Sequence, residues 1–563
     1  AIGYEAMGAM QEGSGGGDVD HNIGIGLDAF KGGDLAANDR QVQGNIAIGS
    51  YALDATSDNA QTGTIAIGHQ ALTALTSGAD NLAIGYQSLD TCNTGSQNVA
   101  VGVLALAATD DGTNNTAIGA YCMQLGNAGT SNTAVGNQSM IDVTGSYNTA
   151  VGMQSLFDIT SGGSNVALGA LAMKDAHAGE SHNIAIGVET MRDVDEDTNN
   201  ADYNIAIGSM ALLGGTVGGD FLGNIAIGYH ALDATGANAQ TGTIAIGHDA
   251  LTALTSGSRN TAIGYNAGLG LVDSSDCTLI GYMAGEDMDS SGSTPQESTY
   301  VGSYAGRYLD DGSYNTAVGH GAMEGGTSGG NSCVSNVAIG VDSLFDITTG
   351  DYNTAVGRFS GGNITTGSSN TILGFEAAQG LNIGRYNIVI GHQALNSDDV
   401  GDRTVAIGYK ALYSQNSDSD NEITGNTAVG FEAGSENVTG TNNTAIGNAA
   451  MYGTDGQSGS NITAVGSQAL NVAYGQGNTA LGQRSGVALT SGVRNVLIGV
   501  DAGATATTSS NLVLIGTFAG DAINSVGADG TVAIGRDSLT ANTSGERNVA
   551  VGFESLKSNT IGD

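Results

Sequence analysis

The chain has 563 residues, of which 92 are glycine, 1 is proline and none is tryptophan, and aromatic residues make up 5%. This composition argues against a large globular core and against an aromatic-lined sugar cleft. Its 55 acidic and 15 basic residues give a net charge of -40, which excludes nucleic acid as a partner, and no apolar stretch reaches the roughly 20 residues that span a membrane.

One short phrase, Asn-Thr-Ala-Val-Gly-x-x-Ala-Leu with close variants, recurs 31 times along the chain. Its central glycine, called the anchor glycine below, occurs for example at Gly49, Gly68, Gly85 and Gly102. Of the 30 intervals between anchors, 16 are 17 residues long and the others lie between 16 and 23. A fixed period with length variation predicts an all-β parallel β-solenoid, with one continuous array of about 31 coils over residues 1–563.

The first predicted element of each coil is a strand that ends at the anchor. Ile48 and Ile67 directly precede anchors, and Ala47 and Ala66 come one residue earlier. Because side chains alternate along a strand, the isoleucines share one face and the alanines the other. We expect the Ile/Val face to line the coil interior and the alanine face to form a seam with another copy of the chain.

Six repeats replace that alanine by a large apolar residue, which we interpret as further support for a buried seam between chains. These residues are Leu279, Tyr300, Ile372, Val389, Leu497 and Leu514. The pattern therefore predicts a homo-oligomer.

A second short strand is predicted after the anchor, where Ala-Leu pairs would return a leucine to the interior. The residue four before the anchor is asparagine in 22 repeats, among them Asn45, Asn81 and Asn98. Stacked coils would align these amides into a ladder that fixes the register.

The longest segments between motifs, residues 27–44, 188–203 and 409–425, are the predicted contact loops. The densest acidic cluster, which is the candidate calcium site, consists of Asp193, Asp195, Glu196, Asp197 and Asp202. Asp193, Asp195 and Asp197 match the first ligands of an EF-hand loop, but Thr198 and Asn204 replace its glycine and glutamate. We expect no other cofactor.

Thirteen repeats carry an aromatic residue or histidine directly after the anchor, and stacked coils would place these rings in rows. Four cysteines, at positions 92, 122, 277 and 333, have no metal-ligand spacing and are expected to be unpaired. No catalytic motif emerges in a fitting context, so we expect a protein that is not an enzyme. The chain also begins and ends inside a repeat, which indicates an interior portion of a longer protein.

The repeat resembles the head repeats of trimeric autotransporter adhesins, whose consensus contains Val-Ala-Ile-Gly, and related repeats of bacteriophage tail fibres. The matching segments are, for example, Ile46 to Gly49 and Val99 to Gly102. The resemblance covers essentially the whole chain and implies a left-handed parallel β-roll with three chains around one axis. The 17-residue period is longer than the adhesin unit and more similar to the phage type.

Together the pattern and the resemblance predict a fibre shaft, homotrimeric and extracellular or on a virion surface. It would belong to a phage tail or virion fibre and present loops to a cell-surface receptor or glycan, with avidity from many copies. The head of a bacterial trimeric adhesin and a self-assembling extracellular filament are the alternatives.

Overall fold

The computed structural model describes residues 1–8, 18–32, 41–55, 60–175, 179–195, 201–216, 220–234, 240–288, 296–326, 330–417, 419, 422–454, 456–524 and 528–562. The chain divides into two compact units, residues Ala1–Cys277 and Thr278–Asp563. Both are parallel β-solenoids, and the described residues contain strands and turns but no α-helix.

The first unit has one long parallel sheet, in which each strand pairs with the next along the chain. Its strands are Ile23–Ile25, Ile46–Ile48, Ile65–Ile67, Leu82–Ile84, Val99–Val101, Thr116–Ile118, Thr133–Val135, Thr149–Val151, Val166–Leu168, Ile184–Ile186, Ile205–Ile207, Ile225–Ile227, Ile244–Ile246 and Thr261–Ile263. Shorter parallel pairs accompany the longer coils, between Val42–Gln43 and Gln61–Thr62, Asp193–Asp195 and Gly214–Thr216, Ala201–Asp202 and Phe221–Leu222, and Phe221–Leu222 and Gln240–Thr241.

The second unit repeats this arrangement. Its strands are Thr278–Ile280, Thr299–Val301, Thr316–Val318, Val337–Ile339, Thr354–Val356, Thr371–Leu373, Ile388–Ile390, Val405–Ile407, Thr427–Val429, Thr444–Ile446, Thr463–Val465, Thr479–Leu481, Val496–Ile498, Val513–Ile515, Val532–Ile534 and Val549–Val551. Equivalent residues lie side by side in both units, as Ala47 lies beside Ala66.

The interior of each coil is lined by the alanine face, which corrects the prediction from alternation. Ala47 and Ala66 are fully buried within the single chain, whereas Ile48 and Ile67 on the opposite face are half-buried. The reason is space, because the residue four after the anchor, which is leucine or methionine in most coils, already fills the narrow interior, as Leu53 does. Only a small side chain fits opposite such a leucine.

The six large replacements of alanine are also interior residues, not parts of a seam between chains. Their exposed fraction is at most 1%. Tyr300 is accommodated because Gly306 stands where other coils have leucine, and a Cβ atom on Gly306 would lie 2.4 Å from Tyr300 Cδ2. Leu514 faces Gly520 in the same way, with 2.8 Å from that Cβ position to Leu514 Cδ2. In these two coils a large and a small residue have exchanged places across the interior.

The segment after the anchor is a turn and not the predicted second strand. Tyr51 and Leu53 have φ angles of +62° and +55°, in the left-handed region. This backbone turns two successive side chains, Ala52 and Leu53, into the interior, which a strand cannot do. The predicted return of the leucine to the interior is confirmed.

The anchor glycines form a stack in which each touches the next coil. Gly68 has a φ angle of +145°, and a Cβ atom there would lie 2.1 Å from the carbonyl oxygen of Gly85. A side chain is excluded both by this backbone conformation and by the close approach of the next chain segment. This explains why the glycine recurs in every repeat.

Candidate functional site

A ladder of buried asparagines runs through successive coils. The Oδ1 atom of Asn81 accepts a hydrogen bond from the backbone N–H of Asn98 at 3.0 Å, and its Nδ2 atom donates to the carbonyl of Gly95 at 2.9 Å. Asn98 bonds in the same way to Asn115 and Gly112. The asparagines therefore stack as expected, but the strongest bonds join side chain to main chain. Asn45 shows the same pattern, bonding to the carbonyl of Gln61 and the N–H of Thr64.

An outward sheet face runs along the strands of each unit. We define it by the residues one and three before each anchor, which are Ile, Val, Leu or Thr at every strand given above. None of these positions carries a charge, although the chain has 70 charged residues in total (55 acidic plus 15 basic). The face is therefore an uncharged band on a strongly acidic chain.

Side chains of this face are half-buried or exposed in the single chain, and the following four are among the exposed ones. The exposed fraction is 41% for Ile118, 41% for Val151, 47% for Leu373 and 50% for Leu481. Exposed tyrosines, five before the anchor, stand beside the face: Tyr147, Tyr203, Tyr314, Tyr352 and Tyr386. An apolar centre bordered by tyrosines has the composition of a protein interface.

Rings that follow the anchors stack along the coils, as the sequence predicts. In the second unit Phe375, His392, Tyr409 and Phe431 form one row, with centroid separations of 5.1, 5.4 and 5.0 Å. In the first unit His248 lies 5.2 Å from both Tyr229 and Tyr265. These contacts stabilise neighbouring coils and leave one edge of each row exposed.

A groove of about 390 Å³ crosses several coils of the second unit. Its aromatic walls are Tyr304, Phe345 and Phe359, and its polar walls include Glu324 and Asp342. The stacking of coils brings these rings together from three different repeats, although the chain as a whole contains few aromatic residues.

Charges at one end of the groove are partly compensated. The guanidinium of Arg307 lies 2.7 Å from Glu286 and 3.9 Å from Glu324, and 5.0 Å from the ring centre of Tyr304. Burial raises the pKa of Glu324 above its ordinary value, against the opposing effect of Arg307. Nδ1 of His320 lies 3.8 Å from Oδ1 of Asp342. The groove thus presents acceptor oxygens beside aromatic rings.

The candidate calcium ligands are only partly within the described residues. Glu196 and Asp197 lie outside them, and so does the side chain of Asp195. Asp193 pairs with Arg192 at 2.5 Å, and this hydrogen bond holds the pKa of Asp193 below its usual value. Oδ1 of Asp202 accepts the N–H of Ser181 at 2.7 Å. Among the described residues, no group of three or more aspartate, glutamate, histidine or cysteine side chains lies close enough together to hold a metal ion. Calcium binding therefore stays a prediction.

The predicted contact loops are also partly outside the described residues, which exclude 33–40, 196–200, 418, 420 and 421. The four cysteines are buried and form no disulfide. Burial raises the pKa of the thiols to about 11 at Cys92 and about 12 at Cys122 and Cys333. They are packing residues of the interior.

The sequence analysis missed one run of buried polar residues. The interior position seven after the anchor is apolar in most coils, yet Asp398, Gln415 and Asn437 occupy it in three successive ones. The Oε1 atom of Gln415 accepts hydrogen bonds from Asn426 at 2.8 Å and Asn437 at 2.9 Å. Aligning the repeats on their anchors would have revealed this run of polar residues.

No helix among the described residues is long and apolar enough to cross a membrane. Neither the comparison with protein-family models nor the comparison with curated proteins finds a match for this chain.

Proposed function

We propose that this chain forms part of the shaft of a homotrimeric extracellular fibre, of the kind found in phage tails or on virions. The outward sheet face is the observation that supports this function most directly. Its uncharged rows follow the solenoid coil by coil in each unit, so a parallel second and third copy would meet the same pattern throughout. This interface replaces the alanine seam expected from the sequence.

The rest of the surface suits an extended structural element. Coils that contact only their neighbours allow length to vary without loss of the fold. The acidic surface outside the sheet face keeps such a fibre soluble and discourages unspecific lateral association. Contact with a receptor or glycan would then be weak at each site and strengthened by repetition over three chains.

The proposal is tested by placing charges on the face. We expect Ile118→Glu with Val151→Glu to dissociate the trimer, because two carboxylates in each chain would be buried against apolar side chains. Analytical ultracentrifugation gives the mass, and circular dichroism should show unchanged β-structure, since both residues point out of the coil.

The matched control is Thr94→Glu with Ser161→Glu, which adds the same charge at exposed turns away from the face. This variant should stay trimeric. Equal masses for both variants would contradict a role of the outward sheet face in assembly.

A further inference from the structure

The groove of the second unit exists because two glycines interrupt rows of side chains. Five residues after the anchor, successive coils carry Glu324, Phe345, Gly362 and Gln379. Each of the other coils of this unit has a side chain at that position. The gap at Gly362 therefore opens a slot between Phe345 and Gln379.

The neighbouring row has a second gap. Two residues after the anchor, successive coils carry Tyr304, Gly321, Asp342 and Phe359, and Gly321 is the one glycine at this position in the unit. A Cβ atom at Gly321 would lie 2.4 Å from Oδ1 of Asp342, so the glycine leaves room for that carboxylate. Gly362 lines the groove itself, whereas Gly321 lies two coils earlier, beside the groove residue Asp342.

The walls of the groove combine two kinds of contact. Tyr304, Phe345 and Phe359 provide partly exposed ring surfaces, and the side chains of Glu324 and Asp342 are only 17% and 19% exposed. Asn363 and Gln379 add amide groups that can donate and accept. A ring surface beside convergent polar groups fits a flat, hydroxyl-rich ring, with stacking on one side and hydrogen bonds at the edge.

Charge narrows the class of ligand. The carboxylates of Glu324 and Asp342 repel anions, and the nearby cation, Arg307, already contacts Glu286. The volume of about 390 Å³ lies within the range of small-molecule sites. The groove is also held in shape by main-chain bonds between coils, from Asp342 N–H to the His320 carbonyl at 2.9 Å and from Phe359 N–H to the Val341 carbonyl at 3.0 Å.

From these features we infer that the groove binds a neutral saccharide, with a pyranose ring over the aromatic wall and its hydroxyls on Glu324 and Asp342. The inference deepens the adhesive part of the proposed function and rests on it. All groove residues except His320 lie beyond the first position after the anchor. The lining residues of the groove are therefore different from the residues that define the outward sheet face.

The test uses the whole chain, fluorescently labelled, on a printed array of neutral, acidic and amino glycans. We expect binding to neutral glycans, and at least about a tenfold loss of binding for Gly362→Gln. That glycine has no positive φ, and a Cβ atom would meet nothing closer than 3.5 Å, so glutamine fills the slot without strain. The control Val487→Gln introduces the same residue at the equivalent position of a distant coil and should bind like the parent chain.

Three results would overturn the inference: binding to no glycan, preference for acidic glycans, or equal binding by Gly362→Gln. Direct binding of choline, measured by isothermal titration calorimetry, without binding to any glycan would instead assign the groove to a quaternary amine. The native mass of each variant is measured in parallel. If the parent chain is a trimer but binds no glycan, the saccharide site is refuted and the proposed fibre is not. If the parent chain is a monomer that binds glycans, the proposed fibre is refuted and the saccharide site is not.

Discussion

At the scale of single residues, backbone geometry accounts for the most regular feature of the sequence. Each anchor glycine combines a φ angle that side chains rarely adopt with main-chain contact to the next coil, as at Gly49 and Gly68. The asparagine ladder fulfils a different need, because it satisfies main-chain groups that strands cannot pair. The backbone conformation therefore requires glycine at the anchor, and buried hydrogen bonding favours asparagine four residues earlier.

Gly68→Ala is expected to destabilise the coils around it by roughly 2–4 kcal/mol, from the strained φ angle together with the clash against Gly85. Hydrogen exchange of the amides in strands Ile65–Ile67 and Leu82–Ile84 measures the local effect. The control Gly362→Ala lacks both problems and should change protection very little. An equally small loss of hydrogen-exchange protection in the two variants would show that the glycine stack tolerates a side chain.

Asp398 gives the protein a pH-dependent stability. Burial raises the pKa of this carboxyl, although the N–H groups of Ser417 and Gly401 oppose the shift. The folded state therefore holds a proton more tightly than the unfolded chain, and stability falls as pH rises from the ordinary value near 3.8 through the raised pKa.

The variant Asp398→Asn should accordingly melt at a higher temperature than the parent chain at pH 7, with the difference shrinking towards pH 4. The exposed neighbour Asp399 serves as control, because Asp399→Asn removes the same charge without a buried carboxylate. A lower melting temperature of Asp398→Asn at pH 7 would mean that the buried charge is favourable.

At the scale of the coil, the sequence predicted the strand and its period but assigned the wrong face to the interior. Alternation shows that Ile48 and Ala47 point to opposite sides, yet it does not say which side is enclosed. The answer depends on what the rest of the coil contributes, and Leu53 reaches the interior through a left-handed turn that no hydrophobic pattern reveals. The alanine face lies inside because the side chain that enters the interior from the opposite side of the coil, such as that of Leu53, is already large.

Exchange of large and small residues makes a direct prediction for Tyr300 and Gly306. Tyr300→Ala alone leaves a cavity worth about 3–5 kcal/mol, and Gly306→Leu alone overfills the same space. The double variant reproduces the usual Ala and Leu pair and should recover most of the loss. Leu344 and Leu395 already adopt φ angles of +50° and +47° at the equivalent position, so leucine is compatible with the backbone there.

Denaturant unfolding of all four chains gives this coupling as a double-mutant cycle. The control pair, Tyr308→Ala with Gly306→Leu, changes a tyrosine that does not face the glycine. Additive losses in the Tyr300 pair would mean that the two positions do not share one space.

At the scale of the whole molecule, the groove and the outward sheet face could not be predicted from single motifs. The groove depends on which coils are neighbours, because Tyr304, Phe345 and Phe359 come from different repeats. The sheet face is visible in the sequence as uncharged rows, but the alanine face looked equally apolar. Only the burial of Ala47 and Ala66 within one chain shows which of the two faces stays outside the coil.

The native mass in solution tests the central claim most directly, because assembly through the outward sheet face underlies the proposed fibre. Light scattering on a size-exclusion column should give three times the 55.9 kDa mass of the chain, and denaturant should reduce it to a single chain. A monodisperse monomer at micromolar concentration would contradict the account and leave the exposed Ile/Val face as the surface of a solenoid that acts alone.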